Sequence, residues 1–441
     1  VGKYLSKLSF RGGIHPLKEK HEGKEATKSK PIRPYVPEEV CIPVDMHLGA
    51  PSIPCVKKGD LVKLGQVVAE PAGPRGIPVH ASVSGEVTAV ISKQQLYGKP
   101  STCILIRNDK QDTWVDCHIL GDVETAPADK IIGAIRDAGI CGMGGACFPT
   151  HAKMVLPEGK TVDTILLNGS ECETFITADH RLMLEEPQRV VNGLRAAMRA
   201  MGVQKGVIAI EENKMDAYEA IKKAAAGREG ISTALLKTKY PQGGEKQLIK
   251  AVTGREVPSG GLPMDAHVVV LNVATAAAIT DAVTEGKPSI ARITTVTGIV
   301  NEPSNLLVRI GTSVSELITA CGGTSEEPGK LFFGGSMTGL ALPDDSVSVT
   351  KANNCLVVVN KKDAALQETT ECIRCSRCIA ACPIMLNPQR LNILCEAGNL
   401  GQAKKENVMD CILCHSCHYV CPARINFPFK EAKEKIAARR I

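Results

Sequence analysis

The chain has 441 residues, 44% hydrophobic and 23% charged, an ordinary globular composition at a length that calls for three or four domains rather than one core. Its formal net charge of +6 is localised, because residues 1–34 hold nine Lys or Arg against three Glu and the remainder is balanced. With 3% aromatic residues and no basic groove the composition excludes nucleic-acid binding, and no apolar run is long enough to span a bilayer.

Residues 1–34 read as a basic, solvated segment, able to meet anionic lipid or an acidic partner. Its motif Phe10-Arg11-Gly12-Gly13-Ile14-His15-Pro16 is a loop, since Gly-Gly followed by His-Pro stops any helix. The start lacks the apolar core of a signal peptide. Eighteen cysteines at scattered spacings suit a reducing compartment, the cytoplasm.

Residues 35–115 carry short apolar alternations broken by Gly and Pro, which predict a small all-β unit. Lys58-Gly59-Asp60, Gly65 to Ala69 and Ala81 to Val87 resemble a lipoyl/biotinyl-type half-barrel. The turn that would present the carrier lysine reads Pro71-Ala72-Gly73-Pro74-Arg75-Gly76, so a structural barrel is expected rather than a swinging arm.

Residues 125–286 alternate strands and helices. Thr164 to Asn168, Gly206 to Ile210 and Val268 to Asn272 are continuous apolar runs, and helices are expected at Ile131 to Ala138, Arg189 to Met201 and Asp216 to Ala226. This is the α/β plan of a parallel sheet covered on both faces. Ligands of such sheets gather beyond the carboxyl ends of the strands, where Asn168 and Asn272 stand. Residues 287–352 give strand, strand, helix and strand, a β-grasp-like module, and the following stretch leads toward the tail.

The tail, residues 360–441, holds the most specific motif. Cys372-x2-Cys375-x2-Cys378-x3-Cys382-Pro383 recurs 39 residues later as Cys411-x2-Cys414-x2-Cys417-x3-Cys421-Pro422. Three thiolates on a tight loop bind three corners of an iron–sulfur cube, and the fourth turns to the neighbouring cube. Cys372, Cys375, Cys378 and Cys421 are thus expected to hold one [4Fe–4S] cluster, and Cys411, Cys414, Cys417 and Cys382 the other. Zinc knuckles or disulfides are the alternative, but neither needs a Cys-Pro terminus.

Three further stretches carry polar chemistry. Cys141-Gly142-Met143-Gly144-Gly145-Ala146-Cys147-Phe148-Pro149-Thr150-His151-Ala152-Lys153 lets backbone N–H groups approach a planar ring or phosphate, although such a loop is often only a turn. Asn168-Gly169-Ser170-Glu171-Cys172-Glu173 places carboxylates at a strand end, either for ribose hydroxyls or as an acidic surface turn. Tyr240-Pro241-Gln242-Gly243-Gly244-Glu245 joins an aromatic ring to a glycine turn and a carboxylate.

These stretches, with Asn272-Val273-Ala274-Thr275, stand in the order of the FMN and NADH motifs of the flavin-bearing subunit of respiratory complex I, which the domain resembles. With FRGGIHP, the half-barrel and the duplicated cysteine motif added, the whole chain resembles the RnfC family, subunits of the membrane-associated NADH:ferredoxin oxidoreductases called Rnf complexes. The resemblance implies a multidomain α/β and β protein: a lipoyl-like half-barrel, an α/β FMN/NADH-binding domain, an SLBB-type β-grasp-like module and an α-helical two-cluster ferredoxin-like domain.

It implies cofactor contacts as well. Gly142, Gly144 and Gly145 would line FMN with backbone, Lys153 would lie near its phosphate or ring edge, and Asn168, Ser170 and Glu171 would contact flavin and ribityl chain. Phe148 would stack on the nicotinamide nucleotide and Glu173 would bind NADH. Tyr240, Gly243 and Glu245 would close the pocket, with Asn272 and Thr275 at the phosphate end. The chain departs from the complex I pattern at Met143, Cys147 and Thr174.

The implied activity is NADH oxidation through FMN and two [4Fe–4S] clusters to the membrane subunits of the complex, reaching ferredoxin indirectly and coupled to ion transport. No catalytic acid or base is expected. The implied place is the cytoplasmic face of the membrane, peripheral and without a transmembrane helix. The alternative is a soluble flavin/iron–sulfur reductase of the same superfamily, a cobalamin reductase or the feeder of an amino-acid reductase.

Overall fold

Alternating apolar residues between positions 39 and 108 close into two antiparallel sheets in the computed structural model, which describes residues 7–17, 22–98 and 100–439. One sheet runs Glu39–Pro43, Pro100–Asn108, Gly85–Gln94, Leu61–Val62, and the other Ile53–Pro54, Val67–Glu70, Val79–His80. Val40, Ile42, Val68, Val87, Ile104 and Ile106 point inward and fill the space between them. The half-barrel expected from the pattern is present.

The α/β domain has four parallel strands in the order Ile231–Leu236, Lys205–Glu211, Thr164–Gly169, Val268–Asn272. Three are the predicted apolar runs. The fourth, at the edge, is only half covered, and its Ser232 and Thr233 break the apolar pattern. Successive side chains of the central strand serve opposite cores, Ile165 and Leu167 one and Leu166 the other, as a sheet covered on both faces requires.

Helix Val273–Thr284 lies on helix Pro187–Met201, and Gly193 is the contact point. A Cβ there would collide with the carbonyl of Ala276, so only glycine permits this approach. The Arg189 Nε donates to Asp281 Oδ1 at 2.7 Å and ties the same pair together. The strand order sets Asn168 directly opposite Asn272 in the parallel register, which places both beyond the core at the carboxyl edge.

The third unit is a six-stranded sheet: Ile32–Tyr35, Ser304–Arg309, Ala291–Gly298, Cys355–Asn360, Pro328–Phe333, Leu340–Ala341. Two of these strands lie outside the stretch expected to form the module. Cys355–Asn360, expected to lead toward the tail, is instead an interior strand beside Ala291–Gly298, and its residues Cys355 to Val358 are buried. Ile32–Tyr35, from the basic N-terminal segment, pairs in parallel with Ser304–Arg309. That segment is therefore built into the fold over these residues and is not simply a solvated arm.

The tail is helical. Arg377–Ala381, Pro388–Glu396, Leu400–Lys405, Ser416–Tyr419 and Phe429–Arg439 surround a core that includes Leu391, Leu394, Leu400, Val408, Phe429 and Ile436. No helix among the described residues is long and apolar enough to cross a membrane.

Candidate functional site

The glycine loop follows helix Ala128–Asp137 and is fixed by its backbone. Met143 N donates to Thr275 Oγ1 at 3.0 Å, Gly142 N donates to Phe148 O at 2.9 Å, and the buried Arg292 Nη1 donates to Met143 O at 3.3 Å. A Cβ on Gly144 would meet Asn272 Nδ2 at 2.8 Å, while nothing stands within 4 Å of one on Gly145. The bare backbone faces a cavity of about 580 Å³ lined also by Gly142, Phe148, Lys153 and Thr275. Beside it, Lys153 Nζ and Glu245 Oε1 pair at 2.9 Å.

A second cavity of about 390 Å³ adjoins the first and shares Gly144, Asn168, Gly243, Glu245 and Asn272 with it. Asn168 Nδ2 donates to Gly243 O at 2.8 Å and joins the strand end to the glycine turn. Asn272 caps helix Val273–Thr284, accepting from Ala274 N at 2.8 Å, and its Nδ2 donates to Asp179 Oδ2 at 2.7 Å. Capping uses the Asn272 oxygen and leaves the amide nitrogen to position Asp179.

Glu171 lines this second cavity from a left-handed backbone (φ 47°), and its side chain is 1% exposed. One carboxylate oxygen accepts from Asp179 N at 2.6 Å; the other has no hydrogen-bond partner and lies 4.0 Å from Lys24 Nζ. Burial raises Glu171 to about 7 against the opposing pull of Lys24, and burial lowers Lys24 itself. Glu173 also lines the cavity, but its oxygens accept from Thr338 Oγ1 at 2.5 Å and Met337 N at 3.2 Å, so a loop of the six-stranded module holds it. Ser170 is buried and lines neither cavity. Its Oγ has no hydrogen-bond partner, and its carbonyl accepts from Lys214 Nζ at 2.7 Å.

The residues fit a flavin mononucleotide on three observations. The Gly144-Gly145 backbone forms a cradle that side chains would fill. Glu171 Oε2 and Gln247 Oε1 are buried acceptors without hydrogen-bond partners, both on residues lining the cleft. Lys153 supplies a cation beside the larger cavity, of the kind a phosphate or ring edge needs.

The cysteines gather in two sets. Cys372, Cys375, Cys378 and Cys421 line a cavity of about 500 Å³, and Cys382, Cys411, Cys414 and Cys417 one of about 130 Å³. Each set takes its fourth member from the other motif, and four thiols spread around a cavity suit a cluster. The backbone is duplicated too: positive φ occurs at Arg374, Ser376 and Met385 and again at Leu413, His415 and Arg424. Among the described residues no three His, Cys, Asp or Glu side chains stand close enough to hold a single metal ion. Cys372 and Cys375 are exposed, whereas burial pushes the Cys411 thiol up to about 11.

Ile412 and Cys414 line both the smaller cysteine cavity and the 390 Å³ cavity at Glu171. The α/β cleft and one cysteine site are therefore neighbours across a single loop. Sequence reasoning missed Lys24, Asp179, Thr338 and Ile412. Lys24 sits in a polar run and Ile412 between cysteines, and neither position carries a local signal. The Gly334-Gly335 turn before Thr338 was the one available hint.

The parallel sheet, glycine loop and strand-end asparagines fall within residues 135–281, which match the family model of the Nuo51 FMN-binding domain, and this sets the class as a flavin-binding domain. Residues 8–111 match the RnfC barrel sandwich hybrid domain, and residues 293–341 match the SLBB domain. The chain is 46% identical over 389 residues to the C subunit of the Na(+)-translocating ferredoxin:NAD(+) oxidoreductase complex of Acetobacterium woodii, covering 87% of this chain and 86% of that one. It is 44% identical over 401 residues to the proton-translocating counterpart of Clostridium ljungdahlii, covering 90% and 87%. To the C subunit of the ion-translocating oxidoreductase complex of Rhodobacter capsulatus it is 39% identical over 411 residues, covering 92% and 78%. A solved NAD+-reducing [NiFe]-hydrogenase in the H2-reduced state shares the fold, with a TM-score of 0.50 and 20% identity over 69% of this chain and 62% of that one. The chain belongs to the RnfC family, the C subunits of ion-translocating ferredoxin:NAD(+) oxidoreductase complexes.

Proposed function

We propose that this chain is the electron-input subunit of such a complex, taking hydride from NADH at an FMN held in the α/β cleft and passing single electrons through two [4Fe–4S] clusters to partner subunits. FMN, when bound, supplies the conversion between a two-electron donor and one-electron carriers. The observation that carries the reading is the shared wall, Ile412 and Cys414, between the glycine-loop cleft and a cysteine site.

Each residue's task follows from its place. Gly142, Gly144 and Gly145 offer backbone to the flavin, and Lys153 with Glu245 guards the cleft edge. Asn168, Gly243, Asn272 and Thr275 hold the floor rigid through the hydrogen bonds that join them to the loop and to Asp179. Phe148 is 37% exposed, so its ring is available to a nicotinamide nucleotide. Glu171 brings to the cleft a carboxylate oxygen that has no hydrogen-bond partner, and Glu173 fastens the six-stranded module over it. Ser170 acts from behind, through its carbonyl on Lys214.

In the ferredoxin-like tail, Cys372, Cys375, Cys378 and Cys421 hold one cluster, and Cys411, Cys414, Cys417 and Cys382 the other. The proposed domain limits are the expected ones with Ile32–Tyr35 and Cys355–Asn360 added to the six-stranded module. The partners are the membrane subunits, with ferredoxin reached through them, and the chain sits peripherally on the cytoplasmic face of the membrane. Anaerobically purified protein should carry FMN and about eight iron atoms, four per cluster, and adding NADH should bleach the flavin and then the clusters. A protein that binds no flavin, or holds zinc at the cysteines, overturns the reading.

A further inference from the structure

The FRGGIHP motif has no place in the flavin or cluster chemistry above, yet it runs between them. Leu8 N donates to Leu235 O and Lys237 N to Leu8 O, both at 2.9 Å, which sets Leu8 in a parallel bridge beside the edge strand of the parallel sheet. Lys239 Nζ then lies 4.4 Å from the centre of the Phe10 ring and donates to Phe10 O at 2.9 Å. Ile14 and Tyr240 exchange backbone hydrogen bonds at 2.8 and 2.9 Å. These contacts bind the motif to the flavin domain.

Its other side binds the cluster domain. Gly13 N donates to Ala381 O at 2.9 Å, next to the ligand position Cys382. Gly12, at φ 76°, lies so close to the Cys382 carbonyl that a Cβ would collide with it. Further along, Leu17 N donates to Tyr419 Oη at 3.1 Å, inside the second cysteine motif. Ile14 completes a buried cluster with Tyr240, Met337 and Ala381, one residue each from the motif, the flavin domain, the six-stranded module and the tail.

We propose that residues 8–17 are a clasp that holds the cluster domain against the flavin cleft and so sets the separation across which electrons pass; this rests on the electron-input reading above. The two glycines are required because the segment is pinched between two backbones, Tyr240 on one side and Cys382 on the other. Arg11 and His15 are exposed and are not part of the grip.

The test uses the full chain carrying both cofactor types, with Gly12→Val to push against Cys382 and Phe10→Ala to release the Lys239 end without approaching a cluster ligand. Rapid mixing with NADH should find flavin bleaching unchanged and cluster bleaching slowed about tenfold or more. Amide hydrogen exchange over residues 238–244 and 378–386 should quicken by about tenfold or more in both variants. Flavin-to-cluster transfer and exchange both at the wild-type rate overturn the clasp. A wild-type chain whose flavin NADH does not bleach overturns the electron-input reading instead, and hydrogen exchange then decides the clasp alone.

Discussion

Tyr240 donates its phenol to the carbonyl of Cys414 at 3.0 Å. One bond thus joins the floor of the α/β cleft to a cysteine loop 174 residues away in the chain. Tyr240 is 3% exposed, and its carbonyl also accepts from Ile14 N at 2.8 Å, so three parts of the chain meet on this residue.

Tyr240→Phe removes the hydroxyl and leaves a part-buried carbonyl without its donor. A loss of about 1 kcal/mol of stability is expected from the missing hydrogen bond. FMN content should stay unchanged while electron transfer from flavin to clusters slows, as read by stopped-flow absorbance. Wild-type transfer in this variant would show that the Cys414 loop is held by other contacts.

Gly144→Val tests the cradle. Its Cβ would meet Asn272 Nδ2 at 2.8 Å and Cβ at 3.0 Å, disturbing the residue that caps helix Val273–Thr284. Overpacking of about 1–3 kcal/mol at that point should weaken FMN binding by about 10- to 100-fold in a fluorescence titration, with the fold retained.

The two cysteine sites should respond unequally. Cys414→Ala and Cys375→Ala are each expected to lower bound iron by about half, measured chemically. Because Cys414 borders the flavin-side cavity and the exposed Cys375 does not, Cys414→Ala should leave the surviving cluster unreduced by NADH, and Cys375→Ala should leave it reducible. Equal behaviour of the two variants would contradict that order.

Stability should depend on pH through buried carboxylates. Burial raises Glu171 and Glu211 from the ordinary 4.5 to about 7, with Lys24, Lys214 and Asp179 as charged neighbours of Glu171. Between these values the folded chain keeps protons that the unfolded chain has released. Their contribution is therefore complete below about 4.5 and is lost as pH rises to about 7. Urea unfolding across this range should show the decline, and Glu171→Gln should make it shallower.

Gly193→Ala probes the support behind the cleft. The new methyl would strike the Ala276 carbonyl and force apart the helices Pro187–Met201 and Val273–Thr284. A loss of about 3 kcal/mol is expected in chemical denaturation, with weaker FMN binding following from the displaced Asn272 cap.

Local chemistry by itself determined much of this protein. The spacing of Cys372 to Cys421, apolar runs such as Thr164 to Asn168, and the glycines at 142, 144 and 145 each specify a loop or strand from neighbouring residues alone. The pairing of Cys421 with the first cysteine set was legible because a Cys-Pro terminus has to turn away from its own loop. Only the tertiary structure decided that Cys355–Asn360 lies inside a sheet, that Lys24 is buried against Glu171, that Ser170 lines neither cavity, and that the backbone of FRGGIHP lies against Cys382. Each of these depends on which distant backbone comes within hydrogen-bonding reach. Short-range patterns of polarity and spacing report how a segment folds locally and do not encode its partner across the chain.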